Sequence, residues 1–223
     1  MRPLTGELLL SAWDQGMANH DVERALIMLS IALPEEGHDH LAELPIAERN
    51  ALLLRLRAIT FGPVLRGFTE CSNCGAAIEF TLPVDTLLSR SEVTPSFHLR
   101  PVNSHDLLAL FSTHDCADAE KLLLTRCLKP NSTQHLSVSD LRKEFELLNA
   151  SSETLVALEC PTCSQQGQAD FDAAHFLWAE VKHAASRLLV EIHELASAYG
   201  WSESAIAAMS AQRRSAYMEM LDA

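Results

Sequence analysis

Glu70-Cys71-Ser72-Asn73-Cys74-Gly75 and Glu159-Cys160-Pro161-Thr162-Cys163 are the two stretches that decide how this chain is read. Each sets two thiols three positions apart on a tight turn, so both sulfurs of a pair can face one metal ion. Zinc takes four such ligands in a tetrahedron, and two CxxC turns supply them. The flanks have the look of short strands. Leu65-Arg66-Gly67-Phe68-Thr69 enters the first turn and Ala76-Ala77-Ile78-Glu79-Phe80-Thr81-Leu82 leaves it. Leu155-Val156-Ala157-Leu158 enters the second, with Gln168-Ala169-Asp170-Phe171 beyond. Both read as hairpins with the metal turn at the tip, the build of a zinc ribbon. A compact ribbon separates its pairs by about 15–20 residues, whereas 85 residues lie between Cys74 and Cys160. Either one ribbon carries an inserted module, with Cys71, Cys74, Cys160 and Cys163 on a single zinc, or the pairs belong to different sites. The shared site is the expectation. A metal-free reading leaves the thiols buried and free, or joined as disulfides. A thioredoxin-like redox CxxC would want a βαβ setting that neither turn has. Four thiolates leave no open coordination position, so the zinc would be structural, not catalytic.

Working outward, 223 residues suffice for one sizeable core with a smaller satellite. The chain is 48% hydrophobic and 21% charged, the balance of a globular protein. Its net charge of −13 argues against wrapping nucleic acid, because phosphate binding rests on Lys and Arg. The same charge disfavours an anionic membrane surface. The apolar run Leu8-Leu9-Leu10 ends at Trp13-Asp14-Gln15, too short for a signal-peptide core. No stretch reaches the roughly 18 apolar residues that span a bilayer. A cytoplasmic setting is therefore expected, where CxxC pairs favour metal over disulfide.

The remainder reads as mainly helical, giving an α+β chain. Thr5 caps a helix through Asp14, and Asn19 or Asp21 caps a second one with Val22, Ala25, Leu26 and Leu29 on one face. Glu35 to His40 reads as a solvated polar loop, in preference to a weak metal site on His38, His40 and an acid. Pro45 opens a helix to Gly62 with a stripe of Leu52, Leu56 and Ile59 and Leu53 beside it; Arg49, Arg55 and Arg57 offer a local basic face, read as surface ion pairing in preference to a binding patch. Pro83 and Asp85 start a turn or short helix, Ser89 to Pro95 is a connector, and Phe97 to Pro101 alternates like a strand. Ser104 caps a short helix, and residues 118–128 form another. Cys116 and Cys127 lack ligand spacing and read as small buried hydrophobes. Lys129 to Gln134 is a loop, and Ser137 or Ser139 caps a helix through Leu148. Asp172 opens the longest helix, to Tyr199. Its broad face (Leu177, Val181, Ala184, Leu188, Ile192 and Leu195, widened by Trp178, Ala185 and Leu189) demands a neighbour, within the chain or in a second copy. Gly200 suits a left-handed residue after it, and Ser202 and Ser210 cap two short closing helices. Four regions follow: an N-terminal helical region over 1–64, a split ribbon over 65–82 and 154–171, a mostly helical insertion over 83–153, and C-terminal helices over 172–223.

No catalytic arrangement stands out. There is no GxSxG elbow, HExxH pair or phosphate-cradling glycine loop. His175, His183 and His193 share the long helix without i, i+4 spacing. The expectation is a protein that is not an enzyme. A zinc-ribbon adaptor in transcription or RNA metabolism is the alternative, and it would need a basic surface and salt-dependent nucleic-acid binding.

Several stretches in order resemble the baseplate and tail-assembly proteins of contractile-tail bacteriophages and phage-tail-like extracellular contractile injection systems. They are Glu48-Arg49-Asn50 through Phe61-Gly62, Cys71 to Gly75, Phe97 to Pro101 with Asp106-Leu107, and Leu123 to Cys127. The Cys160 to Cys163 knuckle follows, then Phe171-Asp172, Phe176 to Val181, Ala198 to Glu203, and Arg213-Arg214 with Tyr217 and Leu221. The resemblance runs from about Leu41 onward and departs at Ser164, where a glycine often follows the second pair; Gly167 is the residue that could supply that turn. It implies a non-enzymatic, chaperone-like or structural role in building a baseplate or its hub, with baseplate, hub or spike proteins as partners.

Overall fold

The longest element is the helix Ala173–Tyr199. It starts where the Asp172 side chain accepts hydrogen bonds from the backbone N–H groups of Ala174 and His175, and it stops at Gly200, which is left-handed. Its buried stripe of Leu177, Trp178, Val181, Ala185, Leu188, Ile192 and Leu195 is the axis of the molecule. The structure is a computed structural model that describes residues 1–88, 96, 98–113, 115–130 and 137–221. The expected connector from Ser89 to Pro95, Phe97, and positions 131–134 of the expected loop lie outside the described residues.

In chain order the helices are α1 (Glu7–Gly16), α2 (Asp21–Ala32), α3 (His38–Glu43) and α4 (Ile46–Phe61), followed by strands β1 (Val64–Glu70) and β2 (Ala77–Pro83). Next come α5 (Val84–Leu88), α6 (Ser104–Ala109), α7 (Cys116–Cys127) and α8 (Val138–Asn149), then β3 (Leu155–Glu159) and β4 (Gln166–Asp170). The long helix is α9, and α10 (Glu203–Ala207) and α11 (Ala211–Leu221) complete the set. The fold is thus mixed α+β and mainly helical, with two small antiparallel hairpins, β1–β2 and β3–β4, each a separate two-stranded sheet.

The neighbour that the broad face of α9 demands comes from within the chain. α1, α2, α4, α10 and α11 all pack on it, and Leu9, Leu26, Leu29, Leu53, Leu56 and Ile206 join its stripe in one core. Ala184 and Leu189 lie at the flank, only partly buried. On α4 the buried apolar residues are Ile46, Ala47, Leu53, Leu54 and Leu56, so Leu53 and Leu56 are buried as expected, while Leu52 is half-buried and Ile59 is 49% exposed, against the expected stripe. The cause is that α4 is enclosed on more than one side, so its apolar period does not mark a single face. The expected surface arginines differ for the same reason. Arg49 and Arg57 are buried, and only Arg55 is exposed. Arg57 holds both carboxylate oxygens of Glu180 on α9, at 2.9 and 2.7 Å, and donates to the carbonyls of Gly62 and Val64. That single side chain ties α4, α9 and the root of the first hairpin together.

Local corrections follow from backbone hydrogen bonding. Residues 38–43 form α3 instead of continuing the polar loop. Gly6 and His20, without side-chain caps, occupy the starts of α1 and α2, so Thr5, Asn19 and Asp21 do not cap them. Asn103 replaces Ser104 as the cap of α6, in a reciprocal capping box with Asp106. Ser137 caps α8, Ser202 caps α10, and Ser210 accepts from the Arg213 N–H as expected. The alternating stretch near Leu99 makes one antiparallel bridge, Leu99 with Leu128, instead of a strand. Pro101, lacking an N–H, cannot extend it.

Between the hairpins, Leu99, Val102, Cys127 and Leu148 form a second small core with Ile46 of α4. Beside it the fully buried Asp106 accepts from Arg100 (2.6 and 2.9 Å) and Arg126 (2.8 Å). Arg49 donates to Ser104, and the Ile46 N–H donates to the Val102 carbonyl, so the start of α4 anchors this segment.

Candidate metal centre

The hairpins are built alike. In β1–β2 the register runs from Val64 opposite Pro83 to Glu70 opposite Ala77; in β3–β4 it runs from Leu155 opposite Asp170 to Glu159 opposite Gln166. Beyond their roots at Leu65 and Val156 little apolar side-chain area is buried, so tertiary packing alone holds them weakly. What the tips share is sulfur. Cys71, Ile78 and Cys160 form a small buried cluster, and Cys74 and Cys163 lie on its exposed side.

The two cysteine turns superimpose in their hydrogen bonding. The Cys71 N–H donates to the Ala76 carbonyl and the Gly75 N–H to the Cys71 carbonyl, both at 2.8 Å. The Cys160 N–H donates to the Gln165 carbonyl and the Ser164 N–H to the Cys160 carbonyl, both at 2.9 Å. The residue after each second cysteine is left-handed: Gly75 at φ 71° and Ser164 at φ 57°. Gly167, expected as the turn residue, instead lies inside β4 opposite Leu158. The turn type is therefore conserved between the knuckles, and Ser164 carries a conformation that glycine would adopt without strain.

All four sulfurs lie within 4.8 Å of one another. Cys71 Sγ is 3.7 Å from Cys163 Sγ, and Cys74 Sγ is 3.6 Å from Cys160 Sγ. Each short distance joins the two knuckles instead of lying within one. A disulfide would bring the sulfurs to about 2.05 Å, and all six cysteines are free. A tetrahedron of sulfurs around zinc at about 2.3 Å has edges of about 3.8 Å. The two separations across the knuckles match that edge, and none of the six exceeds 4.8 Å.

The surroundings suit thiolates. The Asn73 side-chain amide donates to Cys163 Sγ at 3.5 Å; with the Gln165 N–H it holds the Cys163 thiol down to about 6. The Cys163 and Thr162 N–H groups also lower Cys160. Cys74 accepts from the Ala76 N–H, which lowers it, but the crowding of the neighbouring sulfurs and burial drive it up to about 12. Four thiols this close resist carrying four negative charges without a cation, and a bound cation removes that conflict. The four cysteines could therefore hold a metal ion such as zinc. They would close its coordination shell, leaving no position for substrate or water.

Comparison with protein-family models, curated proteins and solved structures finds no match to this chain. The site is thus read from its own chemistry.

Other residues singled out by sequence fall elsewhere. Cys127 is fully buried beside Asp106, with burial pushing its thiol up to about 11, whereas Cys116 is exposed at the start of α7 and is not a core residue. His38 and His40 on α3 lie near Glu23 and Glu36. Among the described residues no second group of three or more metal-ligating side chains converges, and no described helix is long and apolar enough to cross a membrane. Sequence reasoning missed the Asn73 donor, although an amide inside a CxxC turn is a signal for a bond to sulfur.

Proposed function

We propose that this chain is a non-enzymatic structural or chaperone-like assembly protein of a contractile phage tail or tail-like injection particle. It acts at the baseplate or hub, in the cytoplasm during assembly or within the finished particle. Its two hairpins form a zinc ribbon split by the intervening helices, with zinc on Cys71, Cys74, Cys160 and Cys163. The observation that carries the metal half of this reading is the interleaving of the two sulfur pairs at 3.6 and 3.7 Å across the knuckles. The particle half rests on the ordered resemblance from Leu41 onward. A closed four-thiolate shell fits a part that holds shape instead of turning over substrate. Structural zinc supplies about 10–16 kcal/mol of apparent binding energy at neutral pH, against about 5–15 kcal/mol of net stability for a domain. Losing it would release the hairpins.

The test is to purify the protein from cells making the whole particle and to measure zinc per chain together with the proteins that co-purify. The reading expects one zinc per chain and baseplate, hub or spike proteins in the complex. It also expects Cys71→Ser and Cys160→Ser to lose metal and partners together. Normal particle assembly by either variant would contradict it.

A further inference from the structure

The two hairpins and α9 enclose a groove of about 890 Å³. Five of the chain's eight phenylalanines line it: Phe61, Phe68, Phe80, Phe171 and Phe176. Phe68 is 73% exposed, a large apolar area left to water. Four consecutive residues of β1, Arg66 to Thr69, border the groove. Side chains on a strand alternate between faces, so four in a row means that the edge of the strand, with its backbone, faces the opening. That edge is unpaired among the described residues, because β1 has only β2 beside it. Gly67 lies within this run with the Phe80 ring packed over it, where an added Cβ would come within 2.5 Å of the ring.

The charges are distinctive for so acidic a chain. Facing the groove are Arg66, Arg187, Asp170, Asp172 and Glu180, with His175 and His183. Asp172 is committed to capping α9, Glu180 to Arg57, and His175 lies against Asp21. Arg66 and Arg187 are exposed and make no ion pair among the described residues, so both guanidinium groups are open to a partner's carboxylates in a molecule of net charge −13.

From the free edge, the aromatic lining and the two arginines, we propose that this groove takes an extended partner segment of alternating apolar and acidic residues, added as a strand to β1. Backbone pairing with an exposed edge gives affinity, and pockets for alternate side chains give selectivity. The α9 wall from His175 to Arg187 is about 18 Å long, which fits about five or six extended residues. The inference rests on the metal clamp between the hairpins, which sets the groove's width, and not on the tail-particle assignment.

The probe is a fluorescein-labelled hexapeptide, Glu-Val-Glu-Phe-Glu-Val, titrated by fluorescence polarisation against the metal-loaded full chain at about 0.15 M salt, where charges beyond about 8 Å are screened. Its basic counterpart, Lys-Val-Lys-Phe-Lys-Val, and a backbone N-methylated acidic version serve as controls. The acidic peptide should bind once per chain and more tightly than the basic one, although the net charge of the molecule favours the reverse. Arg66→Glu with Arg187→Glu, and separately the exposed Phe68→Ser, should each weaken it at least tenfold with zinc content unchanged. N-methylation should abolish binding. Equal or tighter binding of the basic peptide, or full binding of the N-methylated one, would overturn the proposal. So would a metal-loaded chain that ignores the acidic peptide, or one whose groove is already filled by a second copy; both leave the clamp standing. Undiminished binding after metal removal would overturn the link to the clamp.

Discussion

The helical body and the pair of hairpins are held together by different physics. Around α9, burial of Leu26, Leu53, Val181, Leu195 and their neighbours gives a core in which no single side chain is decisive. At the hairpin tips the buried cluster is Cys71, Ile78 and Cys160, far too little apolar surface to hold four strands. Local stability there must come from a few strong bonds. The helical region should therefore respond to substitution gradually and the hairpin region all at once.

With zinc on the four cysteines, as proposed, the largest effect expected is from removing it. Chelation, or Cys160→Ser, should release both hairpins while most far-ultraviolet helical signal persists, and hydrogen exchange should rise over β1–β4 far more than over α9. Simultaneous melting of both regions would erase the distinction. Arg57→Ala comes next. It breaks a buried pair with Glu180 and strips donors from the Gly62 and Val64 carbonyls, which should cost about 3 kcal/mol in denaturant unfolding.

Asp106 gives a smaller, pH-dependent effect. Burial raises its pKa, but bonds from Arg100, the Asn103 N–H and Arg126 outweigh this and hold the carboxyl below its usual 3.8. A group depressed in the folded state stabilises above its unfolded pKa and loses that contribution as pH falls through the folded value. Asp106→Asn should therefore cost about 2 kcal/mol at neutral pH and flatten the acid limb of the stability profile below about pH 4. An unchanged acid limb would show that this carboxylate does not matter. The smallest effects lie in the two matched turns. Gly75→Ala has room for its Cβ but meets φ 71°, costing about 1–2 kcal/mol. Ser164→Gly should go the other way, stabilising by under about 1 kcal/mol, since gained ease at φ 57° is offset by greater freedom when unfolded.

The sequence showed the pieces with local signatures. The CxxC turns, the strands around them, Asp172 and Gly200 at the ends of α9, and Ser137 and Ser202 as caps all act within a few residues, where spacing and side-chain chemistry suffice. It failed where distant packing decides. Arg49 and Arg57 look like surface residues until α9 and the 83–153 segment close over them. Ile59 fits a helical stripe yet faces water, and Cys116 sits at a helix start with no core beside it. Ser164 departs from the resembled family, where a glycine often follows the second cysteine pair, but the backbone bonds of the turn impose the same left-handed conformation. The groove was illegible for the same reason, since its phenylalanines converge only after the knuckles meet.

The most direct test of the clamp is X-ray absorption at the metal edge on the purified chain, together with metal counted per protein. One zinc per chain bound by four sulfurs at about 2.3 Å is the predicted result. A chain purified without metal, or one carrying two ions each completed by non-sulfur ligands, would contradict it.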